Sequence, residues 1–259
     1  MINLVVCGAA GKMGASIIRL AAADDVFRVV GAVEHTGNAS IGTGTLKITD
    51  NFSEALFRAD VAIDFTSPVA TMEHLAVALA QKKAIVIGTT GLSPDQVLRI
   101  KDAAKTIPIV FSPNMSIGVN LLFTLARAAA KAVPGYDVEI VELHHNQKKD
   151  APSGTAAHLA QVIAETRGSD MAKDGVYGRK GLTGPRKQEE IGVMSVRAGD
   201  IVGDHTVYFA GPGERIELVH RAHSRDTFAA GALRAAHWLA KKSAGLYDMQ
   251  DVLNPSSAL

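Results

Sequence analysis

The segment Glu139-Ile-Val-Glu-Leu-His-His-Asn-Gln-Lys-Lys-Asp-Ala-Pro-Ser-Gly-Thr155 gathers two histidines, two lysines and a Ser-Gly-Thr helix start into one strand-loop-helix unit. Imidazoles exchange protons near neutral pH, ammonium groups attract anions, and the bare N–H groups of a helix start bind carboxylate or phosphate oxygens. Side chains alternate across a strand, so Glu142 and His144 share one face while His145 points away until the strand ends. His144 is then suited to proton transfer, with Lys148 as a second donor or a charge that fixes an anion. Ser153, Gly154 and Thr155 open the next helix and form an anion cradle. The whole describes a site for a small, multiply charged anion. Opposed histidines make a metal site awkward, and no H-E-x-x-H or C-x-x-C spacing occurs, so no metal is expected. Arg179, Lys180, Arg186 and Lys187 add to the positive field at most weakly and are expected mainly as solvated surface charge.

A second site is encoded at the start of the chain. Gly8-Ala9-Ala10-Gly11-Lys12-Met13-Gly14 follows an apolar strand and opens a helix, the context of a dinucleotide fingerprint. Gly8 makes the tight turn, Gly11 lets backbone approach a pyrophosphate, and Gly14 allows close helix–strand packing. Glu34 ends the second strand, where a carboxylate accepts hydrogen bonds from adenosine ribose hydroxyls. His35 follows it and lends partial support to a 2′-phosphate, since an imidazole is only partly charged near neutrality. The expected cofactor is therefore NADH, NADPH or both. Gly88-Thr89-Thr90-Gly91 and Ser112-Pro113-Asn114-Met115-Ser116 lie at carboxyl ends of further strands, where open α/β sheets bind ligands.

These residues need a scaffold that the apolar pattern supplies. Over the first ~115 residues, short apolar runs at Ile2–Cys7, Arg28–Val33, Val61–Phe65, Ala84–Ile87 and Ile107–Phe111 alternate with helical segments at Gly11–Ala23, Pro68–Gln81 and Pro94–Lys105. That alternation predicts βαβ units and a Rossmann-type, doubly wound parallel sheet. From Ile117 the order changes to a long helix ending near Ala132, a strand Tyr136–His145, a helix Gly154–Thr166 and a Gly/Lys/Arg-rich loop over 168–190. Three alternating runs, Ile191–Arg197, His205–Ala210 and Arg215–Arg221, are separated by turn signals and predict, with the preceding strand, a four-stranded, mainly antiparallel sheet. A last helix over Thr227–Ala244 is expected to return to the first domain. The fold class is thus α/β with a second α+β domain. Residues 1–115 completed by 226–259 form the dinucleotide-binding domain, and 116–225 the substrate-binding and oligomerisation domain.

Composition narrows the partners. With 27 basic and 26 acidic side chains among 259 residues, the formal charge is +1, which excludes the strongly basic balance of a nucleic-acid binder. The lone Cys7 lies in an apolar strand and reads as a core residue in a reducing compartment. No signal-like start or membrane-length apolar run is present, so a cytoplasmic protein with no membrane partner is expected.

The unbroken E-x-x-E-x-H-H-x-x-K-x-D-x-P-S-G-T run at Glu139–Thr155, with Val196-Arg-Ala-Gly-Asp-Ile-Val-Gly203 and Ser224-Arg-Asp-Thr-Phe228, resembles the dihydrodipicolinate reductase family over essentially the whole chain. The resemblance implies NAD(P)H-dependent reduction of an unsaturated ring diacid in lysine/diaminopimelate biosynthesis. It implies His144 as proton donor/acceptor, Lys148 as second donor, and His145, Ser153, Gly154, Thr155 and Thr90 as substrate-binding residues. The cofactor would be held by Gly8, Ala9, Ala10, Gly11, Lys12, Met13, Glu34, His35, Gly88, Thr89, Thr90, Ser112, Pro113, Asn114 and Met115. A homotetramer built through the second domain's sheet is also implied. Two other readings share the fingerprint: an aspartate- or homoserine-type dehydrogenase and a nonenzymatic nucleotide sensor. Neither explains the His-His-x-x-Lys and Ser-Gly-Thr set. A short-chain dehydrogenase is disfavoured, because no tyrosine is followed four residues later by lysine.

Overall fold

The computed structural model describes residues 1–35 and 48–253. The chain divides into two compact units, Met1–Ile117 with Arg225–Leu259 and Gly118–Ser224. In chain order the first unit runs β1 (Ile2–Cys7), α1 (Lys12–Ala22), β2 (Phe27–Val33), β3 (Ile48–Thr49), α2 (Phe52–Phe57), β4 (Val61–Asp64), α3 (Pro68–Gln81), β5 (Ala84–Ile87), α4 (Pro94–Ala103) and β6 (Pro108–Phe111). The chain then passes through α5 (Ile117–Ala132), β7 (Asp137–His144), α6 (Gly154–Arg167), α7 (Met171–Asp174), β8 (Gly175–Val176), β9 (Ile191–Arg197), β10 (Gly203–Gly211) and β11 (Glu214–Ala222). It re-enters the first unit with α8 (Asp226–Leu239), β12 (Gly245–Tyr247) and α9 (Met249–Leu253).

Among the described residues of the first unit seven strands pair in the order β12-β6-β5-β4-β1-β2-β3, every pair parallel. Strand β1 shows why. Leu4 and Val6 pack into one buried cluster with α1 and α8, while Val5 and Cys7 pack into the other with α2, α3 and α4. A strand covered on both faces must be apolar at every position, as this one is. Helix starts follow the serine-proline signals: Ser67 Oγ accepts from Ala70 N–H ahead of Pro68, and Ser93 with Gln96 forms a reciprocal capping box ahead of Pro94.

Several elements depart from the sequence expectation. Strand β3 and helix α2 lie in a stretch without clear periodicity. The last long helix stops at Leu239, not Ala244, because the chain must turn to pair β12 with β6. Tyr247 then packs edge-on against Trp238, with ring centroids 5.0 Å apart. The expected domain also included 254–259, which lie outside the described residues.

In the second unit five strands, not four, pair in the order β11-β10-β7-β9-β8. Strand β10 runs antiparallel to both β11 and β7, while β9 runs parallel to β7 and to β8. The sheet is therefore mixed. The reason is topological: β7 reaches β9 through helix α6, a crossover that restores direction, whereas β10 reaches β11 through a tight turn at Pro212-Gly213. Helices α5 and α6 cover one face with Val119, Phe123, Leu159 and Ile163 against Val138, Ile140, Val207 and Phe209. The 168–190 segment is more ordered than a loop, since it contains α7 and β8. Arg179 and Arg186 do not stand free in solvent as expected. Arg179 makes a two-pronged pair with Glu139 at 2.8 and 2.9 Å, and Arg186 bonds Glu139 and Asp137. These arginines fasten the segment to β7.

Candidate active site

The C-terminal end of β7 is enclosed by its neighbours. Because β9 and β10 flank β7, the 198–202 connection must cross over the end of that strand. Ala198 N–H donates to the His144 carbonyl at 2.9 Å, and Asn146 N–H donates to the Gly199 carbonyl at 3.1 Å. A Cβ added at Gly203 would sit 3.0 Å from His144 Nε2, so glycine there leaves the imidazole room.

Glu142 and His144 point to the same, helix-covered face, as strand alternation requires. The Glu142 side chain is wholly buried, and its Oε2 is hydrogen-bonded to His144 Nδ1. Arg197 grips the same carboxylate in two-pronged fashion at 2.8 and 3.0 Å, and Ser153 N–H donates to it at 3.2 Å. Burial would raise the Glu142 carboxyl, but hydrogen bonds from Arg197, Ser195 and His144 hold it down at about 2. It is an anion at neutral pH. Burial lowers the His144 pKa against the opposing pull of Glu142, with Lys148 and Arg197 lowering it further. His144 is thus neutral at rest, oriented through Nδ1, with Nε2 left for chemistry.

Lys148 pairs with Asp150 at 2.9 Å and keeps only a fifth of its side chain exposed. Its hydrogen bond holds the Asp150 carboxyl below the usual range. His145 lies just past β7 and is half-buried. Ser153 caps α6, its Oγ accepting from Ala156 N–H at 3.2 Å. Gly154 is the first residue of that helix and is exposed, and a Cβ built on it meets nothing within 4 Å. Neither crowding nor backbone conformation demands glycine there, so the open space lies over the helix's first N–H groups. Six residues of the second unit singled out from the sequence, His144, His145, Lys148, Ser153, Gly154 and Thr155, therefore gather at the end of β7 and the start of α6. Thr90 belongs to the other unit.

In the first unit a cavity of about 840 Å³ is lined by Gly8, Ala10, Gly11, Glu34, His35, Thr66 and His74, among others. Gly8 is in the left-handed region, and a Cβ on Gly14 would stand 2.1 Å from the Gly8 carbonyl oxygen. Helix α1 is capped by Gly11 with no side-chain hydrogen bond and has no acidic residue in its first turn, so its N–H groups remain available to an anion. Glu34 Oε2 accepts from Ala10 N–H at 3.0 Å. These features fit a dinucleotide. Ala9 and Met115, in contrast, are core side chains, so only their backbones can face a ligand. Lys12, His35, Thr90 and Pro113 are exposed, and Met13 packs partly against the core.

The sequence did not reveal a buried polar network behind this cavity. Asp64 is fully buried, accepting from Thr66 Oγ1 at 2.6 Å and Thr89 Oγ1 at 3.3 Å, and its other oxygen meets His74 Nδ1 at 2.8 Å. Thr89 Oγ1 also accepts from Thr66 N–H and Thr71 Oγ1. Its hydroxyl is thus committed to joining the β4 and β5 loops. Cys7, Asp64 and His74 bring potential ligand atoms within 4.8 Å of one another. Burial and the nearby Asp64 push the Cys7 thiol well up, which disfavours the thiolate that metals bind.

Comparison with known proteins agrees with this geometry in both halves. Residues 2–115 match the family described as dihydrodipicolinate reductase, N-terminus, and residues 118–253 match dihydrodipicolinate reductase, C-terminus. A 4-hydroxy-tetrahydrodipicolinate reductase from Anaeromyxobacter sp. is 51% identical, with 100% of each chain covered. One of the same name from Nitrosomonas europaea is 49% identical, covering 97% of this chain and 98% of its own. The structure of a dipicolinate-bound dihydrodipicolinate reductase from Paenisporosarcina sp. TG-14 superposes with a TM-score of 0.80 at 28% identity, over 96% of this chain and 97% of that one. Matches across both units and full-length identity of this order place the chain in the dihydrodipicolinate reductase family.

Proposed function

We propose that this protein is an NAD(P)H-dependent 4-hydroxy-tetrahydrodipicolinate reductase, yielding tetrahydrodipicolinate for lysine and diaminopimelate synthesis. One observation carries the reading at the level of chemistry: a neutral imidazole held by a buried carboxylate stands beside a lysine and an open helix start. That is equipment for a dianion that must be protonated. The nicotinamide cofactor supplies the hydride when bound. His144, Lys148 and the α6 N-terminus do the rest. Backbone N–H groups at Gly154 and Thr155, with the Ser153 hydroxyl and His145, hold a ring carboxylate. Lys148 neutralises the second negative charge and stands as an alternative proton donor. His144 handles the proton where charge develops, and Glu142 stabilises the imidazolium state that its turnover requires. Dipicolinate, the ligand named for the Paenisporosarcina structure, is a planar ring diacid of the class such a site would take.

The same reading assigns cofactor binding to Gly8 through Met13, Glu34 and His35, the Gly88–Thr90 turn and the Ser112–Met115 turn, and a substrate contact to Thr90. Glu34, Asp50 and Glu73 line one cavity, which supports NADH as the better cofactor with NADPH also accepted. No resident metal has a part in this chemistry. Cys7, Asp64 and His74 are read as a structural network, because both Asp64 oxygens already accept hydrogen bonds. A reducing, cytoplasmic setting suits the single buried thiol. The outer face of the second unit's sheet presents Val196 at 40% and Val219 at 45% exposure, and we assign it to a homotetramer interface. Supplying the upstream synthase product and following NADH or NADPH oxidation tests the reading. No oxidation with either cofactor would overturn it.

A further inference from the structure

His205 stands on β10 directly across from Glu142 on β7 and across from His220 on β11. It is 3% exposed and faces the covered side of the sheet, in line with Val207 and Phe209. Its Nε2 lies 3.2 Å from Ser153 Oγ. Its ring meets His144 edge to face, with centroids 5.2 Å apart and planes at 74°. His205 is therefore in contact with both the imidazole proposed to move a proton and the cap of the helix proposed to bind a carboxylate.

Packing alone does not account for an imidazole here. His205 Nδ1 is buried without a hydrogen-bond partner, and an orphaned polar atom in a core is a cost that an aliphatic side chain beside Val207 would avoid. Nor does the residue suit proton storage. Burial pushes its ionisation down to about 3, with His144, Lys148 and His220 acting in the same direction and Glu142 opposing. It stays neutral, and what remains is geometry.

We propose that His205 is a positioning residue: through Ser153 it holds the first turn of α6 in the form that binds a substrate carboxylate, and through its ring it fixes the plane of His144. The proposal rests on the reading of α6 as the carboxylate site. A serine hydroxyl that only caps a helix is free to swing to another rotamer. Held also by His205, it stays on the Ala156 N–H, and the neighbouring N–H groups stay aimed outward. Glu142 restrains the His144 ring through Nδ1 within the strand face. The His205 ring, packed against it from the adjacent strand, restrains its tilt.

The test compares His205→Gln, His205→Asn and His205→Leu in the full-length protein. A glutamine amide reaches the place of Nε2 and keeps the bond to Ser153, while asparagine is too short. Expected for Asn and Leu is a rise in the KM of the diacid, and a fall in dipicolinate affinity by calorimetry, of about tenfold, the scale of one lost hydrogen bond. Gln should stay within about threefold, and NADH affinity should hold in all three. Amide exchange at Ala156 and Ala157, which needs no ligand, should quicken in Asn and Leu and not in Gln. Combined with Ser153→Ala, the Leu substitution should add little to the rise in KM or to exchange at Ala156, because both remove the same bond. If His205→Leu does not fold, the Gln–Asn comparison decides. Equal KM, dipicolinate affinity and exchange in Gln and Asn, or full additivity with Ser153→Ala, would overturn the proposal. Wild-type protein that oxidises no cofactor would instead refute the assigned activity, and the exchange measurement would still judge His205.

Discussion

Glu142 and His144 stand two residues apart on β7, and the wholly buried carboxylate of the first is hydrogen-bonded to Nδ1 of the second while Arg197 holds its other side. Glu142→Gln keeps the shape and loses the charge. The imidazolium proposed for turnover then has no anion beside it, and Arg197 is left uncompensated. A fall in kcat/KM on the order of 10²–10⁴-fold is expected, with a stability loss of about 3 kcal/mol, the scale for removing one partner of a buried pair. Steady-state kinetics and urea unfolding check the two parts separately.

His144→Gln and Lys148→Ala should each lower kcat by roughly 10²–10⁴-fold while the NADH dissociation constant holds, since neither residue belongs to the unit proposed to hold the dinucleotide. Full turnover in both variants would refute the assigned roles.

Acid should destabilise the protein in two stages. His144 and His205 have folded pKa values below the ordinary imidazole value of 6.5, the latter at about 3. Below pH 6.5 the unfolded chain binds protons that the folded chain refuses, so stability falls with pH, by up to about 1.4 kcal/mol per unit per group. Glu142 acts lower: its folded pKa of about 2 lies under the ordinary glutamate value of 4.5, so its contribution is complete above 4.5 and is lost as pH drops through about 2. Urea unfolding from pH 7 to 4 measures the slope, and His205→Gln should flatten the first stage. An unchanged slope in that variant would contradict a buried neutral His205.

What is legible in the sequence follows from what lies close in the chain. Glu142, His144, Lys148 and Ser153 fall within one strand-loop-helix unit, so alternation and helix-start chemistry were enough to bring them together. Gly8, Gly11 and Gly14 are read from spacing for the same reason. Asp64, His74 and Thr89 come from β4, α3 and β5, and no local pattern says that their side chains converge behind one cavity. Arg179 and Arg186 looked like surface charge because their partner Glu139 lies some 40 residues away. The direction of β9 departs from the antiparallel expectation for a related reason. Alternation marks a strand but carries no pairing partner, and only the α6 crossover makes β9 parallel to β7.

The second unit's sheet buries one face under α5 and α6 and leaves Met194, Val196, Val141 and Val219 alternating onto the other. Apolar side chains at that density are expected to meet another copy. Sedimentation at micromolar concentration should give a tetramer, and Val196→Glu with Val219→Glu should yield smaller species. A wild-type monomer would refute the interface.

Cofactor choice turns on the end of β2. Glu34 is already held by the Ala10 and His35 N–H groups, so its carboxylate cannot swing away from a ligand without losing both bonds. A ribose with free hydroxyls can donate to it, whereas a 2′-phosphate brings like charge against Glu34 and into a cavity also lined by Asp50 and Glu73. His35 is exposed beside it and lines the same cavity, where its imidazole can meet a phosphate. NADH should therefore give the higher kcat/KM. His35→Arg adds a permanent charge with a forked donor and should move the NADPH-to-NADH ratio by on the order of 1 kcal/mol, about fivefold. Glu73→Gln, which removes a negative charge from the same cavity, should move it the same way. The ratio of kcat/KM for the two cofactors, taken in all three proteins at one ionic strength, is the measurement. A ratio unmoved by His35→Arg would show that residue 35 does not face the 2′ position, and a wild type that prefers NADPH would mean that Glu34 does not govern the choice.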